Sequence, residues 1–495
     1  MLQTIDYKGM FRIRGVVAGL GLIAILLAQT GCKKLVTVGS PDTSLTSGNI
    51  YTTDATAASV LTGIYALLNA NTPLYSQSIN SISLLAGLSS DEFTLYGGAA
   101  NANTGLVQYY MNRLVSGAST TSSQSIWSDC YSKLYTINLA LERLVVSNSL
   151  TPVVRQQLMG EAKFLRAFFY FYLVNLYGNV PLTISSDYIA NSVLSRNPQE
   201  QVYQQIIADL KDAQNLLIDG YTGSDALSIT TERVRPNKWA ATALLARAYL
   251  YTGIYDSAAI QASAVIDHTA LYRLCSMDSV FLKNSTEAIW QLQPVNAGWN
   301  TEDARIFILP ATGPTSNSPV TGFPVCLSPQ LLGSFETGDG RRSGWVDSVT
   351  VNGVTYYYPY KYKSATLNAP VTEYLMVLRL GEQYLIRAEA RVRGNNNVTG
   401  AQDDLNAIRA RAGLGSTTAG GQDAIISAIE HERQVELFTE WGQRWLDLKR
   451  TGTVNAVMGT VAPAKGTDWS TSWQWYPIPL YEITQDPNLA QNTGY

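Results

Sequence analysis

The segment "RQQLMGEAKFLRAFFYFYLVNLYGNVPL", starting at Arg155, constrains the fold more than any other part of the chain. Leu158, Ala162, Leu165, Phe169, Tyr172 and Leu176 recur at alternating spacings of four and three, which places them on one face of a helix. Thr151 and Pro152 suit its N-cap and first turn, and Gly178 and Pro181 suit its end. A second helix is predicted to open at Asn197-Pro198 and to carry Val202, Ile206, Leu210, Ala213 and Leu217. Glu200 stands three residues after Asn197, the spacing of a capping box.

"KWAATALLARAYLYTGIYDSAAIQASAVID" reads as a helix, a tight turn at Gly253 and a second helix. Leu245, Ala246, Tyr249 and Ala258 fall at the offsets of a tetratricopeptide repeat, where small residues permit close helix packing. Downstream, Leu378, Gly381, Leu385, Ala388 and Val392 form one stripe that Gly394 ends, and Ala401, Leu405 and Ile408 begin another. Helix pairs repeated along one chain predict a mainly α, tetratricopeptide-like scaffold rather than a parallel sheet. Strand patterns are few. "EAIWQLQ" (287–293) alternates, and "WVDSVTVNGVTYYYPYKYK" is a hairpin turning at Asn352-Gly353. Long Gly/Ser/Asn/Thr-rich loops are expected at 96–105 and 294–325, lengths that usually mark functional or mobile segments.

The first 31 residues have a different character. Lys8, Arg12 and Arg14 precede an apolar run from Val16 to Ala28. Thirteen residues rise only about 20 Å as a helix, short of a bilayer core of about 30 Å, so the run reads as a secretory signal. Thr30 and Gly31 place small side chains directly before Cys32, as in a bacterial lipobox, with Gln29 where leucine is usual. The expectation is that residues 1–31 are a signal peptide and that the Cys32 thiol takes a diacylglyceryl group. The remaining readings of Cys32 are ordinary secretion, a retained anchor helix or a structural thiol, and Lys33-Lys34 are poor company for the last. Residues 32–48, rich in Ser, Thr, Gly and Pro, suit a flexible tether. Three acyl chains would hold the protein to a membrane far more firmly than a single chain does.

Composition narrows the chemistry. Loss of Lys8, Arg12, Arg14 and Asp6 with the signal moves the net charge from −3 to −5, which offers no overall positive field to a nucleic acid. Two histidines, His268 and His431, disfavour His-rich metal sites and most His-based triads. Cys130, Cys275 and Cys326 lack CxxC spacing, and with Cys32 set aside at least one is free or intermolecular. No cofactor is indicated, a structural calcium ion included. "EHERQVELFTEWGQRWLDLKR" sets Glu432, Glu436, Glu440 and Arg444 at successive i, i+4 positions. Paired carboxylates would suffice for glycoside hydrolysis. Stacked acids and arginines near Trp441 and Trp445 read instead as a structural ion-pair network.

The candidate binding residues lie on loops. "LSSDEFTLYGGAANANTGLVQYYMN" supplies Asp91, Glu92, Tyr96, Tyr109, Tyr110 and Asn112, and "QPVNAGWNTED" supplies Trp299 and Asn300. An aromatic ring packs on the C–H face of a sugar while a neighbouring Asp or Asn bonds its hydroxyls, a site suited to neutral, wet ligands. With 29 tyrosines against 11 phenylalanines, the chain is rich in rings that also carry a hydroxyl. The bland alternative is that each ring packs on its own loop. Trp299, between Gly298 and Asn300, is the leading candidate because no periodic pattern buries it.

After the signal, the chain resembles the SusD/RagB family of Bacteroidetes outer-membrane lipoproteins nearly end to end. "YTTDATAASVLTGIY", "WSDCYSKLYTINLALERL" (with Trp127, Tyr131 and Asn138), "GEAKFLRAFFYFYLVNLYGNVPL", "EYLMVLRLGEQYLIRAEA", "LNAIRARAGL", "ERQVELFTEWGQRWLDLKR", "YPIP" and "QNTGY" stand in the family's order. Gly381 stands where alanine is commoner, Thr493 replaces a usual proline, and Lys33-Lys34 stand where surface-exported lipoproteins often carry acids. The resemblance implies one compact fold in two parts, residues 49–230 and 231–495. It implies a non-enzymatic nutrient-binding lipoprotein on the cell's outer membrane, facing outward. Its helical face would meet a SusC-like TonB-dependent transporter, and Asp91, Tyr96 and Trp299 lie in regions that often build the ligand site. The ligand is expected to be an oligosaccharide, with an oligopeptide as the alternative. A surface glycosidase and a pure assembly scaffold are the readings from other classes.

Overall fold

The computed structural model describes residues 50–70, 79–101, 103–117, 126–315 and 322–495. The signal, Cys32 and the tether lie outside them. The long helices follow the predicted stripes: α1 Asp54–Asn69, α2 Ile126–Val146, α3 Pro152–Tyr177, α4 Gln199–Leu216, α5 Lys238–Tyr251 and α6 Tyr255–Ile266. After an irregular middle come α7 Leu380–Asn395, α8 Val398–Arg411, α9 Gln422–Glu436 and α10 Gln443–Arg450. Successive helices from α2 to α6 pack on one another, α6 passes its face to α7, and α7 holds both α8 and α9. This is the helix-pair scaffold that the small residues predict. Ala246 and Ala258 are fully buried where α5 and α6 meet. Residues Tyr51–Tyr495 form one compact unit, and among the described residues no helix is long and apolar enough to cross a membrane.

The stripe on α3 understates its burial. Leu158, Ala162, Leu165, Phe169, Tyr172 and Leu176 are all fully buried, but so are Phe164, Phe168 and Phe171 on the other faces. The reason is tertiary. Trp290 meets Phe164 and Phe168 edge to face with centroids at 5.0 and 5.3 Å, and Trp441 meets Phe168 at 5.6 Å. Each ring buried in this way contributes about 1.5–3 kcal/mol of transfer free energy.

The strands are short and antiparallel; besides a two-residue pair, Tyr221–Thr222 with Ile229–Thr230, they are β1 Phe93–Leu95, β2 Ala288–Leu292, β3 Val325–Leu327, β4 Val346–Val351, β5 Val354–Pro359 and β6 Leu375–Arg379. β1 pairs with β3, β2 with β6 and β4 with β5. Asn352 and Gly353, at φ 50° and 80°, make the two-residue turn that the sequence predicts. β2 does not alternate between core and solvent; all five of its residues are buried, because α1 and α5 pack against it.

Other expectations are corrected. Asn197 does not cap α4 with Glu200. Its backbone pairs with Val180, and its side-chain oxygen accepts from the Leu182 N–H at 3.0 Å, which leaves Pro198 at the N-cap. Leu378 belongs to β6, so α7 begins only at Leu380, and it runs past Gly394 to end on Asn396 in the left-handed region. Glu432 to Arg444 do not share one helix face. α9 stops at Glu436, and Thr439, Trp441 and Gly442 turn the chain with φ of 58°, 49° and 72°. The turn is held by partners remote in sequence: the Thr439 N–H donates to Glu92 at 3.1 Å and the Trp441 N–H to Ser83 at 3.0 Å.

The ion-pair reading of these acids does hold. Arg341 reaches Glu432 at 2.6 Å and Glu436 at 3.0 Å, and Arg379 reaches Glu436 at 2.5 Å and Glu440 at 2.7 Å. Arg411 joins Glu436 and Glu287, while Lys361 meets Glu440 at 2.5 Å. Burial by itself would raise the Glu436 carboxyl, but Arg411, Arg379 and Arg341 together hold it well below the ordinary carboxylate range. Gly381 is part of this arrangement, since a Cβ there would lie 2.5 Å from Arg379 Nη1 and 3.2 Å from Glu436 Oε1. Alanine at this position would crowd the guanidinium.

Candidate functional site

Two loop segments meet around β1 and β3. In register, Phe93 faces Leu327 and Leu95 faces Val325, and the next residue, Tyr96, donates its N–H to Pro324 at 2.7 Å. The Phe93 ring stacks on Phe307 with centroids 5.1 Å apart, tying this strand to the helix Glu302–Phe307 that follows Trp299. Tyr96 is partly exposed and meets Tyr356 of β5 edge to face at 5.9 Å. β3 and β5 pack together, so the hairpin forms a wall of the same cluster.

Trp299 is half-buried. Arg305 lies over one face of its indole, 4.4 Å from the ring centroid, and Glu302 holds that guanidinium at 2.8 Å. Gly298, at φ 80°, accepts from the Asn368 N–H at 2.7 Å and sets the turn that presents the tryptophan. The expected structureless loops are therefore partly built. Helix Thr104–Tyr110 interrupts the end of the first, and Glu302–Phe307 with β3 interrupts the second.

The other candidates lie beneath this surface. Asp91 is 4% exposed and receives Arg444 on both oxygens at 2.8 and 2.7 Å. Asn300 is 2% exposed; its amide donates to Ser364 and to the Pro370 carbonyl, and its oxygen accepts from the N–H groups of Thr372 and Glu373. Tyr109 packs edge to face on Tyr476 at 5.4 Å, and burial pushes its phenol up. Tyr110 and Asn112 are buried as well, Asn112 donating to the Ser89 carbonyl at 3.0 Å. Asp91, Asn300 and Tyr109 thus have their polar or ring faces occupied and brace the loops from below, while Tyr96 and Trp299 face outward.

Arg305, Tyr356 and Asp303 belong to the same cluster and escaped the sequence reading. The i, i+3 spacing of Glu302 and Arg305 was the available signal for the first. Nothing local marks Asp303. It is buried with no basic group at ion-pair distance among the described residues, and burial, then Glu302 and Glu440, push its carboxyl up to about 8. Glu92 is likewise pushed up to about 8, by burial against the Thr439 N–H. Among the described residues no group of three His, Cys, Asp or Glu side chains could hold a metal ion, and Cys130, Cys275 and Cys326 are free thiols.

A family model described as "Starch-binding associating with outer membrane" matches residues 56–250, and one described as "SusD family" matches residues 346–495. A SusD-like protein of Formosa agariphila is 25% identical over 519 residues, covering 96% of this chain and 98% of its own. The crystal structure of a SusD superfamily protein from Bacteroides vulgatus covers 89% of this chain and 99% of its own with a TM-score of 0.75, a likeness of fold at 19% identity. A structure described as a laminarin-binding SusD-like protein has a TM-score of 0.71 at 25% identity, again over 89% of this chain and 99% of its own.

Proposed function

The chain belongs to the SusD/RagB family, and on that premise we propose that it is a non-catalytic, outer-membrane lipoprotein that binds oligosaccharides and hands them to a SusC-like TonB-dependent transporter. The observation that carries the glycan reading is the loop cluster: Trp299, braced on one face by Arg305, and Tyr96 beside Tyr356 are partly exposed on loops held from below. Rings fixed in this way lose little entropy on meeting a sugar, so stacking is not offset by ordering the loop. The laminarin-binding relative makes a glucan the first ligand to try. Cys32, lipidated, would keep the site at the membrane surface. The competing glycosidase would need two carboxylates about 5–10 Å apart in an open cleft. The acids that the spacing offered for it, Glu432, Glu436 and Glu440, are instead bound by arginines and a lysine in the interior.

The test is calorimetry of the chain from residue 33 onward against laminarin-derived and other oligosaccharides and against oligopeptides. A sugar should bind, and Trp299→Ala should weaken it by about 1–3 kcal/mol, the range of a stacking anchor. Binding of peptides alone would overturn the glycan assignment, and turnover of a bound glycan would overturn the non-catalytic one. Cys32→Ser should move the protein from the membrane fraction to the soluble fraction; a variant that still sediments with membranes would break the anchor assignment.

A further inference from the structure

A groove of about 300 Å³, sharing no lining residue with the loop cluster, lies between α2, the segment 181–192 and the helix Leu480–Gln485. Trp127, Tyr131 and Tyr135 stand four residues apart on one face of α2 and form one wall. The Trp127 and Tyr131 rings lie 4.9 Å apart, and the Tyr131 hydroxyl is fixed by donating to the Pro181 carbonyl at 2.7 Å. Tyr188, 71% exposed, stands at the other side on a short helix capped by Asp187. Trp127 is 2% exposed, and among the described residues no acceptor meets its indole N–H.

Two carboxyl groups, Glu482 and Asp486, complete the lining, which contains no Lys, Arg or His among the described residues. Glu482 accepts from the Ser128 hydroxyl at 3.1 Å and Asp486 from the Asn488 N–H at 2.9 Å. Neither has an ion-pair partner among the described residues, whereas Glu382, Glu389 and Asp447 in the helical core each hold an arginine at 2.6–2.7 Å. Arg196, whose charge reaches Tyr131, donates instead to the carbonyls of Asn179 and Ala490 and to Asn492. Burial pushes the Glu482 carboxyl up, against the Ser128 hydrogen bond.

Aromatic faces around unpaired carboxylates are the setting in which an organic ammonium is held, by cation–π attraction and by charge. The cavity sits at the small end of ligand pockets. It takes a single ring, and its flat walls suit the C–H face of a sugar. We propose that this groove is a second binding site, for an amino-sugar unit whose amine is free, with Glu482 and Asp486 taking the ammonium and Tyr131, Tyr135 and Tyr188 the ring faces. The assignment is independent of the loop cluster.

Calorimetric titration of the chain from residue 33 onward with glucosamine oligomers, and with the same oligomers N-acetylated, tests it. Glucosamine oligomers should bind at least about tenfold more tightly than the acetylated ones. Glu482→Gln and Tyr188→Ala should each weaken that binding about tenfold, a change of about 1.4 kcal/mol, at unchanged melting temperature. Trp299→Ala should leave it unaltered, which separates this site from the loop cluster. Equal affinity for the two oligomer forms, no binding of either, or binding untouched by both groove substitutions would overturn the proposal. So would a lysine oligopeptide that binds more tightly than the glucosamine oligomer.

Discussion

Glu436 and Asp303 are both buried carboxylates, yet their surroundings drive them in opposite directions. Glu436 sits among the arginines Arg341, Arg379 and Arg411 and stays ionised. Asp303, under the Trp299 loop, has acids for neighbours and is pushed up to about 8. The charge of Glu436 is satisfied; that of Asp303 is not. The comparison teaches that the helical core is built for stability, while the loop cluster tolerates a group that burial disfavours. Regions carrying ligand sites often show that second pattern.

The largest effect should come from breaking the satisfied side. Glu436→Ala would leave three buried arginines short of a partner, and should cost about 3–5 kcal/mol in denaturant unfolding. A loss under 1 kcal/mol would mean that the network is dispensable. Gly381→Ala tests its packing without removing charge. A methyl 2.5 Å from Arg379 Nη1 should cost about 1–3 kcal/mol, and stability equal to the parent would show that the guanidinium can move aside.

The smallest effect concerns Asp303. Its folded pKa is raised, so the folded state holds a proton that the unfolded state releases above about pH 4. Its contribution is therefore fully present below that pH and is lost as pH rises towards 8. Asp303→Asn should flatten this part of the stability profile and raise the melting temperature at pH 8 by on the order of 2 °C, while leaving it nearly unchanged at pH 4. Glu436 has the opposite sign: its depressed pKa stabilises above the unfolded value and is lost as pH falls below about 4. A melting profile with no decline between pH 5 and 8 in the parent would remove Asp303 from the comparison.

Much of the scaffold was legible because a helix announces itself over a few turns. Leu158 to Leu176, Leu385 to Val392 and Ala401 to Ile408 follow the 3.6-residue period whatever they pack against, and Asn352-Gly353 specifies its turn through local φ preference. Cap chemistry was less legible. Asn197 has the right neighbours for a capping box, but the Leu182 N–H takes its oxygen first. In the site, Trp299 and Tyr96 could be singled out from their loop context. Asp91, Asn300 and Tyr109 could not be told from surface residues, because what buries them is far away along the chain.

The order and face of the helices, the hairpin and the small residues at the α5–α6 contact follow from the sequence alone, since each depends on residues within a turn or two. The sequence also carries the lipobox-like junction at Cys32 and the motifs of the family. Tertiary structure alone decided that α3 is buried on every side from Phe164 to Val174, that the Glu432–Arg444 segment breaks into two helices, and that Asp91 pairs with Arg444, 353 residues away. It also brought Tyr96 to Tyr356, set Arg305 on Trp299 and left Glu482 and Asp486 unpaired among tyrosines. The physical reason is range: backbone periodicity and turn preference act through neighbours in sequence, whereas burial and ion pairing are set by whichever groups the packed chain brings within a few ångströms.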